Sequence, residues 1–343
     1  MRKDTVPLVS ICIPTYNSGA TLGETLASII EQSHQRLEIL VVDNASTDNT
    51  IEVASRFDDP RIRIYRNDVN IGAEGNFNRC IELANGTYTA IYHADDLYTE
   101  KMVAEQVDFL DQYPEAGGVL TEAVVIDEYG REKGAISLPS ELGRNSLCIS
   151  FHELFSALLH YSNFLICPSA MVRTAVYKND IKGWRGELFG SSADLDVWLR
   201  IAKLSTLGLL PTKLMKYRVS DVQYSAKVRH QTERADFFRV VDHYLDQADV
   251  RALVTRTDLD NYQTLVRRDN VMRAANLFLM GDFSRAARLL DDFFNADMFA
   301  GAMRDKRGLG VFLLGSYLKM INVPGLRWCG QAPLRQLKRV LRK

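Results

Sequence analysis

Acidic and polar residues follow three apolar stretches that have the length and composition of buried β-strands. The three polar clusters are Thr15-Tyr16-Asn17, Asp43-Asn44-Ala45-Ser46 and His93-Ala94-Asp95-Asp96. In a sheet of parallel strands the carboxyl ends lie at one edge, and ligands bind beyond that edge. We therefore expect the three clusters to contribute to one site.

The adjacent carboxylates of Asp95 and Asp96 repel each other and cost stability unless a positive charge lies near both. A divalent cation that bridges to substrate phosphates would supply that charge, since Mg²⁺ and Mn²⁺ favour carboxylate and phosphate oxygens. A solvated turn leading into a helix capped by Thr99 would explain the same pair. Asp43 has two corresponding interpretations, as a loop cap or as a ligand-binding acid. The residues alone leave these alternatives open.

Motifs and composition exclude several other functions. The stretch from Pro14 to Asn17 lacks the glycines of a dinucleotide-binding loop, and no GxxxxGK[ST] sequence occurs, which disfavours nicotinamide dehydrogenases and P-loop nucleotidases. Among 343 residues, 42 Lys and Arg balance 43 Asp and Glu, so net charge gives no reason to expect a nucleic-acid partner. Five cysteines without a CxxC motif disfavour a metal cluster or a disulfide framework and indicate a reducing compartment.

The first 130 residues alternate between strand and helix patterns, which predicts a mostly parallel sheet between helices, an α/β fold. The predicted strands are Leu8–Pro14, Leu37–Asp43, Ile62–Arg66 and Tyr88–Tyr92, and the predicted helices are Leu22–Glu31, Thr50–Phe57 and Glu74–Ala84. Capping boxes are predicted at Thr21 with Glu24 and at Ser150 with Glu153. After about residue 226 the pattern predicts helices only.

Four blocks of this sequence together resemble the family 2 inverting glycosyltransferases, which have the Rossmann-like nucleotide-sugar-binding fold called GT-A. The blocks occur in the family's order and are Val9–Asn17, Glu38–Asp48, Asn70–Gly72 with Asn76–Asn78, and Ala84–Tyr88. The resemblance implies a nucleotide-sugar-binding half at 1–130, an acceptor-binding half at 131–225 and a C-terminal helical region at 226–343. It also implies transfer of a sugar from a nucleotide-sugar, with UDP-sugars favoured, to a glycan or a lipid-linked glycan.

The resemblance assigns a role to each residue that matches a family motif. The residues implied to bind the nucleotide-sugar are Pro14, Thr15, Tyr16, Asn17, Asp43, Asn44, Asn70, Gly72, Asn76, Asp95 and Arg218. Asp43 matches an acid that accepts a hydrogen bond from the nucleobase. Asp96, with Asp95, matches the acids that hold a divalent cofactor, Mn²⁺ or Mg²⁺, on the diphosphate.

Asp194 matches the family's general base, at the start of a helix predicted over Asp194–Leu204. Its alternative role is a helix N-terminal acid that the helix macrodipole favours. Three positions depart from the family's pattern: Ala193 stands where a Glu is usual, Ser220 replaces a His, and His93 replaces an acid. The last departure leaves two acids in the metal motif and predicts weaker metal binding.

Asn163 and Trp184 fall in the region where the family binds its acceptor. A Trp stacked on a sugar and a Trp packed in the core are both compatible with the sequence around Trp184. Ala193 and Ser220 also leave open a catalytically impaired nucleotide-sugar-binding module. A sugar nucleotidyltransferase is more remote, because the loop Asn17-Ser18-Gly19-Ala20 is not the glycine-rich loop that such an enzyme needs.

The C-terminal residues 306–343 carry nine Lys and Arg and no Asp or Glu, whereas the preceding residues have 33 basic against 43 acidic groups. Apolar residues from Leu334 to Leu341 recur on one helical face, which predicts an amphipathic helix that binds an anionic membrane. A last helix packed on the domain is the alternative. The apolar runs Leu8–Ile13 and 308–318 are too short for a signal peptide or a membrane span. We therefore expect a cytoplasmic protein that is peripheral on the membrane's cytoplasmic face.

Overall fold

The computed structural model of the chain describes residues 6–142, 147–219, 231–294, 306–323, 326 and 333–334. The chain divides into two compact units, Met1–Ser220 and Asp221–Lys343. Each unit has a buried apolar core of its own. The three-part division predicted from the sequence stays a prediction.

The described residues of the first unit form a ten-stranded sheet with helices packed around it. The strands are β1 (Val9–Thr15), β2 (Leu37–Asp43), β3 (Ile62–Arg66), β4 (Tyr88–Ile91), β5 (Leu97–Tyr98), β6 (Ala116–Ile126), β7 (Glu132–Ile136), β8 (Cys148–Ile149), β9 (Met171–Arg173) and β10 (Thr206–Arg218). The α-helices are α1 (Leu22–Ile30), α2 (Thr50–Ser55), α3 (Gly72–Leu83), α4 (Met102–Gln112), α5 (Phe151–Tyr161), α6 (Gly186–Phe189) and α7 (Ala193–Leu204).

The strands lie in the order β3-β2-β1-β4-β9-β6-β10-β5, with β7 beside β6 and β8 beside β10. Strands β3, β2, β1 and β4 run parallel, as do β6 and β10, whereas β9 lies antiparallel between β4 and β6. The parallel register pairs Thr15 at the end of β1 with Asp43 at the end of β2. The first two polar clusters of the sequence therefore begin side by side.

Strand β2 shows why the sequence pattern predicted this sheet so well. Every residue from Leu37 to Asp43 is buried, because the strand lies inside the sheet and is covered on both faces. Even Glu38 is buried, where its carboxylate accepts hydrogen bonds from the Ser10 hydroxyl, at 2.5 Å, and from the backbone N–H of Asn85, at 2.6 Å. The predicted α/β fold with a mostly parallel sheet and C-terminal helices is confirmed.

The capping box predicted for helix α5 is confirmed. The Ser150 hydroxyl accepts a hydrogen bond from the backbone N–H of Glu153, and the Glu153 carboxylate accepts one from the backbone N–H of Ser150 at 2.8 Å. Two backbone donors that the first turn of a helix leaves unpaired are thereby satisfied. The helix then runs to Tyr161.

The capping box predicted for helix α1 is wrong. Thr21 makes no side-chain cap bond, and its hydroxyl donates instead to the carbonyl of Ala94 at 2.8 Å. The Glu24 carboxylate accepts a hydrogen bond from Nη2 of Arg218 at 2.6 Å. Both side chains thus connect the start of α1 to the loop after β4 and to the end of β10. Tertiary partners have replaced the local cap.

All the regular secondary structure described in the second unit is helical. Its helices are α8 (Asp236–Leu245), α9 (Ala248–Leu253), α10 (Arg256–Met280), α11 (Phe283–Arg288) and α12 (Lys306–Ile321). The core of the unit packs α10 and α11 against α12 through buried residues that include Phe278, Leu314 and Leu318. No helix in the described ranges is long and apolar enough to cross a membrane. From residue 335 onward, the amphipathic helix predicted near the C-terminus lies outside the residues that the structure describes.

Candidate active site

The floor of the site lies where β1 and β2 end. Asp43 is fully buried, and its two carboxylate oxygens accept hydrogen bonds from the Thr15 hydroxyl at 3.3 Å and from the backbone N–H of Ser46 at 3.0 Å. The Nε of Arg66 lies 3.5 Å from the same carboxylate. These partners compensate the cost of burying the charge and fix the loop that follows β2.

A network of asparagine side chains supports the loops above this floor. Asn44 donates to the side-chain oxygen of Asn70 at 2.8 Å and to the carbonyl of Gly72 at 3.0 Å, while its own oxygen accepts from Asn67 and from the backbone N–H of Ile71, both at 2.9 Å. Four hydrogen bonds use the full capacity of one carboxamide. Asn67 also donates to Asn76, at 3.1 Å, so the network extends into helix α3.

An open cleft of about 310 Å³ lies above the network. Its size is at the lower end of the range for small-molecule sites. The lining residues are Pro14, Thr15, Tyr16, Asn44, Asn70, Gly72, Ala73, Asn76 and Phe77. Seven of the residues predicted to bind the nucleotide-sugar are therefore together in one cleft. Asn17 and Asp43 support it from the adjacent loops, because Asn17 accepts a hydrogen bond from the backbone N–H of Thr47 at 2.8 Å.

The third polar cluster forms a candidate metal site. Ligand atoms of His93, Asp95 and Asp96 all lie within 4.8 Å of one another. Asp96 is fully buried; its Oδ1 accepts the backbone N–H of Arg218 at 2.8 Å, while its Oδ2 has no hydrogen-bond partner in the described parts of the chain. Burial and the neighbouring charge of Asp95 raise the pKa of Asp96 well above its ordinary value. A bound cation would supply the missing partner, so these residues fit a divalent metal.

Arg218 is buried at the end of β10, and its side chain forms hydrogen bonds with other residues of this chain. Its guanidinium donates to the carbonyl of Asp95 at 2.8 Å, to the carbonyl of Glu128 at 3.2 Å and to the Glu24 carboxylate. It therefore fixes the turn that carries the two acids. Contact of Arg218 with a diphosphate, implied by the family resemblance, stays a prediction.

Asp194 lies in the first turn of α7, where its Oδ1 accepts the backbone N–H of Leu195 at 2.8 Å. Burial raises the pKa of Asp194 to about 6. The negative charges of Asp194 and Asp96 both add to burial in raising the pKa of the Cys167 thiol. The Cys167 thiol is therefore close enough to both acids for their charges to affect its pKa. The 3₁₀ turn Cys167–Ser169 therefore lies near both the candidate base and the candidate metal site.

Asp196, two residues further along α7, has a different environment. It is fully buried, and both of its oxygens bind Arg185, while Oδ2 also accepts from Arg200 at 2.9 Å. Arg200 in turn donates to the carbonyls of Ile181 and Gly183. This ion-pair network holds the segment before α6 against α7. Asp194, by contrast, has no basic side chain bound to its carboxylate within the described part of the chain.

The two residues predicted at the acceptor site differ in exposure. Trp184 is only 6% exposed, and its ring packs against Phe77 at 4.7 Å and Trp198 at 6.4 Å between centroids, both edge to face. The structure favours the core alternative for Trp184. Asn163 is exposed, and its side-chain oxygen accepts the backbone N–H of Leu165 at 3.1 Å. Its contact with an acceptor stays a prediction.

Comparison with known proteins identifies the family. The model of glycosyl transferase family 2 matches residues 10–179, which include the cleft and the candidate metal site. The chain belongs to glycosyltransferase family 2. EpsE of Bacillus subtilis, named a glycosyltransferase, is 31% identical over 200 residues, which are 57% of this chain and 66% of EpsE.

Two further relatives of this family 2 chain show the range of the likeness. WfaP of Escherichia coli is named a UDP-Glc:alpha-D-GlcNAc-diphosphoundecaprenol beta-1,3-glucosyltransferase; it is 29% identical over 176 residues, 49% of this chain and 62% of WfaP. A Rickettsia felis protein named an uncharacterized glycosyltransferase is 30% identical over 67% of this chain and 37% of its own length. The chain thus spans less than two thirds of the length of these curated relatives.

Solved structures share the fold of this family 2 chain. Staphylococcus aureus TarS 1–349, in complex with UDP-GlcNAc, has a TM-score of 0.58 and 17% identity over 96% of this chain and 91% of that one. The mannosyltransferase PcManGT of Pyrobaculum calidifontis, in complex with GDP-Man and Mn²⁺, has a TM-score of 0.52 and 17% identity over 97% and 86% of the two chains. At this identity the likeness shows the fold alone.

Sequence reasoning missed several residues of the family 2 site. Asn67 follows the end of β3, so the rule that polar residues after parallel strands meet could have found it. Phe77 lies on α3 and lines the cleft, but its pattern is that of any core residue. Cys167 and Glu24 reach the site from distant segments. No local signal in the sequence marks either of them.

Proposed function

We propose that this chain is an inverting glycosyltransferase that moves a sugar from a nucleoside diphosphate sugar to an acceptor hydroxyl with the help of a divalent metal. The observation that carries the proposal is the arrangement at the sheet edge. The edge carries the cleft and two adjacent acids, of which Asp96 is fully buried with one oxygen that has no partner among the described residues. The charges of Asp96 and of Asp194, a third acid whose pKa is raised, both act on the Cys167 thiol. Family membership supports the reaction class.

The proposed reaction is a single displacement. The acceptor oxygen attacks the anomeric carbon, the bond from that carbon to the diphosphate breaks, and Asp194 takes the proton of the acceptor hydroxyl. An ion held by Asp95 and Asp96 would stabilise negative charge on the departing nucleoside diphosphate. The backbone N–H and guanidinium of Arg218 hold both acids in position. A pKa of about 6 leaves Asp194 mostly ionised, and hence able to accept a proton, at neutral pH.

We propose a uridine nucleotide as the donor's carrier. TarS was solved with UDP-GlcNAc and with UDP, and WfaP is named for UDP-Glc, although PcManGT was solved with GDP-Man. Asp43 retains unused acceptor capacity, since each carboxylate oxygen can accept two hydrogen bonds. Calorimetric titration compares UDP with ADP in the presence of Mn²⁺. UDP no tighter than ADP would reject this choice.

We propose a glycan on a lipid diphosphate carrier as the acceptor, reached from the cytoplasmic face of the membrane. The name of WfaP describes such an acceptor. Helix α12 supports the location, because Leu309, Leu313 and Met320 are 46%, 54% and 57% exposed. At 100° per residue these three side chains lie within about 40° of one another, opposite the buried face. An exposed apolar stripe in a segment rich in Lys and Arg suits an anionic membrane surface.

Two variants test the reaction and the division of roles. Asp96→Ala removes the unpartnered carboxylate and is expected to abolish metal-dependent donor binding. Asp194→Ala is expected to leave donor binding nearly intact and to lower transfer by ~10²–10⁴-fold, the usual contribution of a general base. Donor binding is measured by calorimetry and transfer by release of the nucleoside diphosphate. The exposed acid Asp180, changed to Ala, is the control.

A catalytically impaired binding module is the second candidate, because Ala193 is buried beside Asp194 and provides no second acid there. Metal-dependent hydrolysis of the nucleotide-sugar without an acceptor separates the two candidates. An enzyme is expected to release the nucleoside diphosphate slowly in this assay. If the wild-type chain binds the donor but neither hydrolyses nor transfers it, the binding module is the better description.

A further inference from the structure

His93, Asp95 and Asp96 place one imidazole and two carboxylates around a common point. Asp96 is fully buried, and its Oδ2, which lacks a hydrogen-bond partner among the described residues, lies 4.0 Å from Nδ1 of His93. Ligand atoms that are each about 2.1 Å from one ion can be about 4.2 Å apart. The separation of these two atoms therefore suits an ion between them, and no pair of ligand atoms in the cluster is more than 4.8 Å apart.

The imidazole ring of His93 is held in place by aromatic packing. It stacks on Phe77 at 6.1 Å between centroids and 18° between planes, and Phe77 packs edge to face against Trp184. The Nε2 atom of His93 is buried and, within the described ranges, has no hydrogen-bond partner. Neither ring nitrogen is thus committed to a bond that would keep it from a ligand at the cluster.

We infer that His93 is the third protein ligand of the metal and that it makes the site prefer first-row transition ions, Mn²⁺ and Co²⁺, over Mg²⁺. The inference rests on the proposed function, because the proposed function is what requires an ion at Asp95 and Asp96. Imidazole binds transition ions well, whereas Mg²⁺ favours an all-oxygen set. One nitrogen and two carboxylates form a mixed set, and the nitrogen is the part that discriminates.

A spectroscopic experiment on the full chain tests the ligand directly. Mn²⁺ alone, and Mn²⁺ with UDP, is added to wild type, to His93→Gln and to the control His152→Gln, whose residue is exposed on α5. Pulsed electron paramagnetic resonance detects coupling of the manganese spin to ¹⁴N of a bound imidazole. We expect the coupling in wild type and in the control, and its loss in His93→Gln. Bound Mn²⁺ without the coupling, or coupling that persists in His93→Gln, overturns the inference.

Calorimetry measures the selectivity independently of turnover. His93→Asp gives an all-carboxylate cluster, and we expect the ratio of Mn²⁺ to Mg²⁺ affinity to fall about tenfold or more, as for changes that disturb a metal's ligand set. An unchanged ratio in a variant with a wild-type unfolding temperature overturns the inference. If the metal binds but shows no coupling to nitrogen, only the inference about His93 is rejected. If neither ion binds to wild type, with or without UDP, the metal-assisted function is rejected and the inference with it.

Discussion

Asp194 titrates within the range of an ordinary assay, because burial raises its pKa to about 6. As the proposed base it must be ionised, so we expect kcat/KM for transfer to fall about tenfold for each pH unit below that value. A pH profile at saturating Mn²⁺ measures this. Donor affinity over the same range separates the effect from protonation of Asp96, whose pKa burial also raises. A flat profile down to about pH 5 would contradict the assignment.

The same carboxylate is expected to cost stability when it is ionised. Since the pKa of Asp194 is about 6 in the folded chain against an ordinary 3.8, folding is favoured while the group is protonated. That stabilisation is present at low pH and is lost as the pH rises through the folded-state pKa. Asp194→Asn removes the charge, so we expect its unfolding temperature to exceed that of wild type at pH 8 and to match it near pH 4.

Differential scanning fluorimetry of the two proteins across this range measures the difference, with the exposed Asp180→Asn as the control for a changed net charge. An equal difference at all pH values would show that Asp194 is not the titrating group.

The acids at strand ends could be predicted from the sequence because a strand's end is a local signal. The proximity of Cys167 to two of these acids could not, since it depends on how distant segments pack.

Several strands and helices were predicted closely. The bounds of β2 and β3 agree with the structure residue for residue, and α7 begins one residue before its predicted start. The capping box predicted for α1 did not form, although its Thr and Glu have the same spacing as the Ser and Glu of the box at α5. Thr21 and Glu24 instead form hydrogen bonds with other segments. The sequence also gave no sign that β9 would lie antiparallel inside the sheet.

Two variants compare the tertiary contact made by Arg218 with the local cap of α5. Arg218→Ala removes the guanidinium that holds the Asp95 carbonyl, so we expect Mn²⁺ affinity to fall about 10–100-fold, the usual effect of losing an outer partner of a metal ligand. Ser150→Ala removes the cap of α5 and is expected to cost about 1 kcal/mol of unfolding free energy.

Calorimetric titration with Mn²⁺ and urea unfolding are applied to both variants, each serving as the control for the other. Ser150→Ala should bind Mn²⁺ as wild type does. If Arg218→Ala also binds it unchanged, the position of the two acids does not depend on that side chain.

At the scale of the whole molecule, the acidic body and the basic C-terminal segment predict association with anionic membranes. A truncation before residue 306 would be a poor test, because Leu314 and Leu318 belong to the core of the second unit. The double variant Leu309→Ser with Leu313→Ser changes only the exposed stripe. We expect the wild-type chain to pellet with anionic vesicles at low salt, and the double variant to pellet much less.

Sedimentation with vesicles of phosphatidylglycerol and phosphatidylcholine measures the binding. The control is Leu188→Ser with Leu204→Ser, which changes two exposed leucines of the first unit. Equal pelleting of the two double variants would reject the stripe as the membrane contact. The basic composition of the C-terminal segment is read directly from the sequence, whereas the exposed apolar face of α12 became visible only once its buried face was known.

The saturated carboxamide of Asn44 has a consequence for how this sequence can diverge. A substitution of Asn44 removes its hydrogen bonds to four partners at once. We therefore expect selection against a single substitution of Asn44 unless Asn67 or Asn70 changes with it. Tyr16 lines the same cleft with half of its surface exposed, and it can vary at little cost to folding. Lineages that acquire a new donor should therefore differ first at Tyr16, while Asn44 is inherited unchanged.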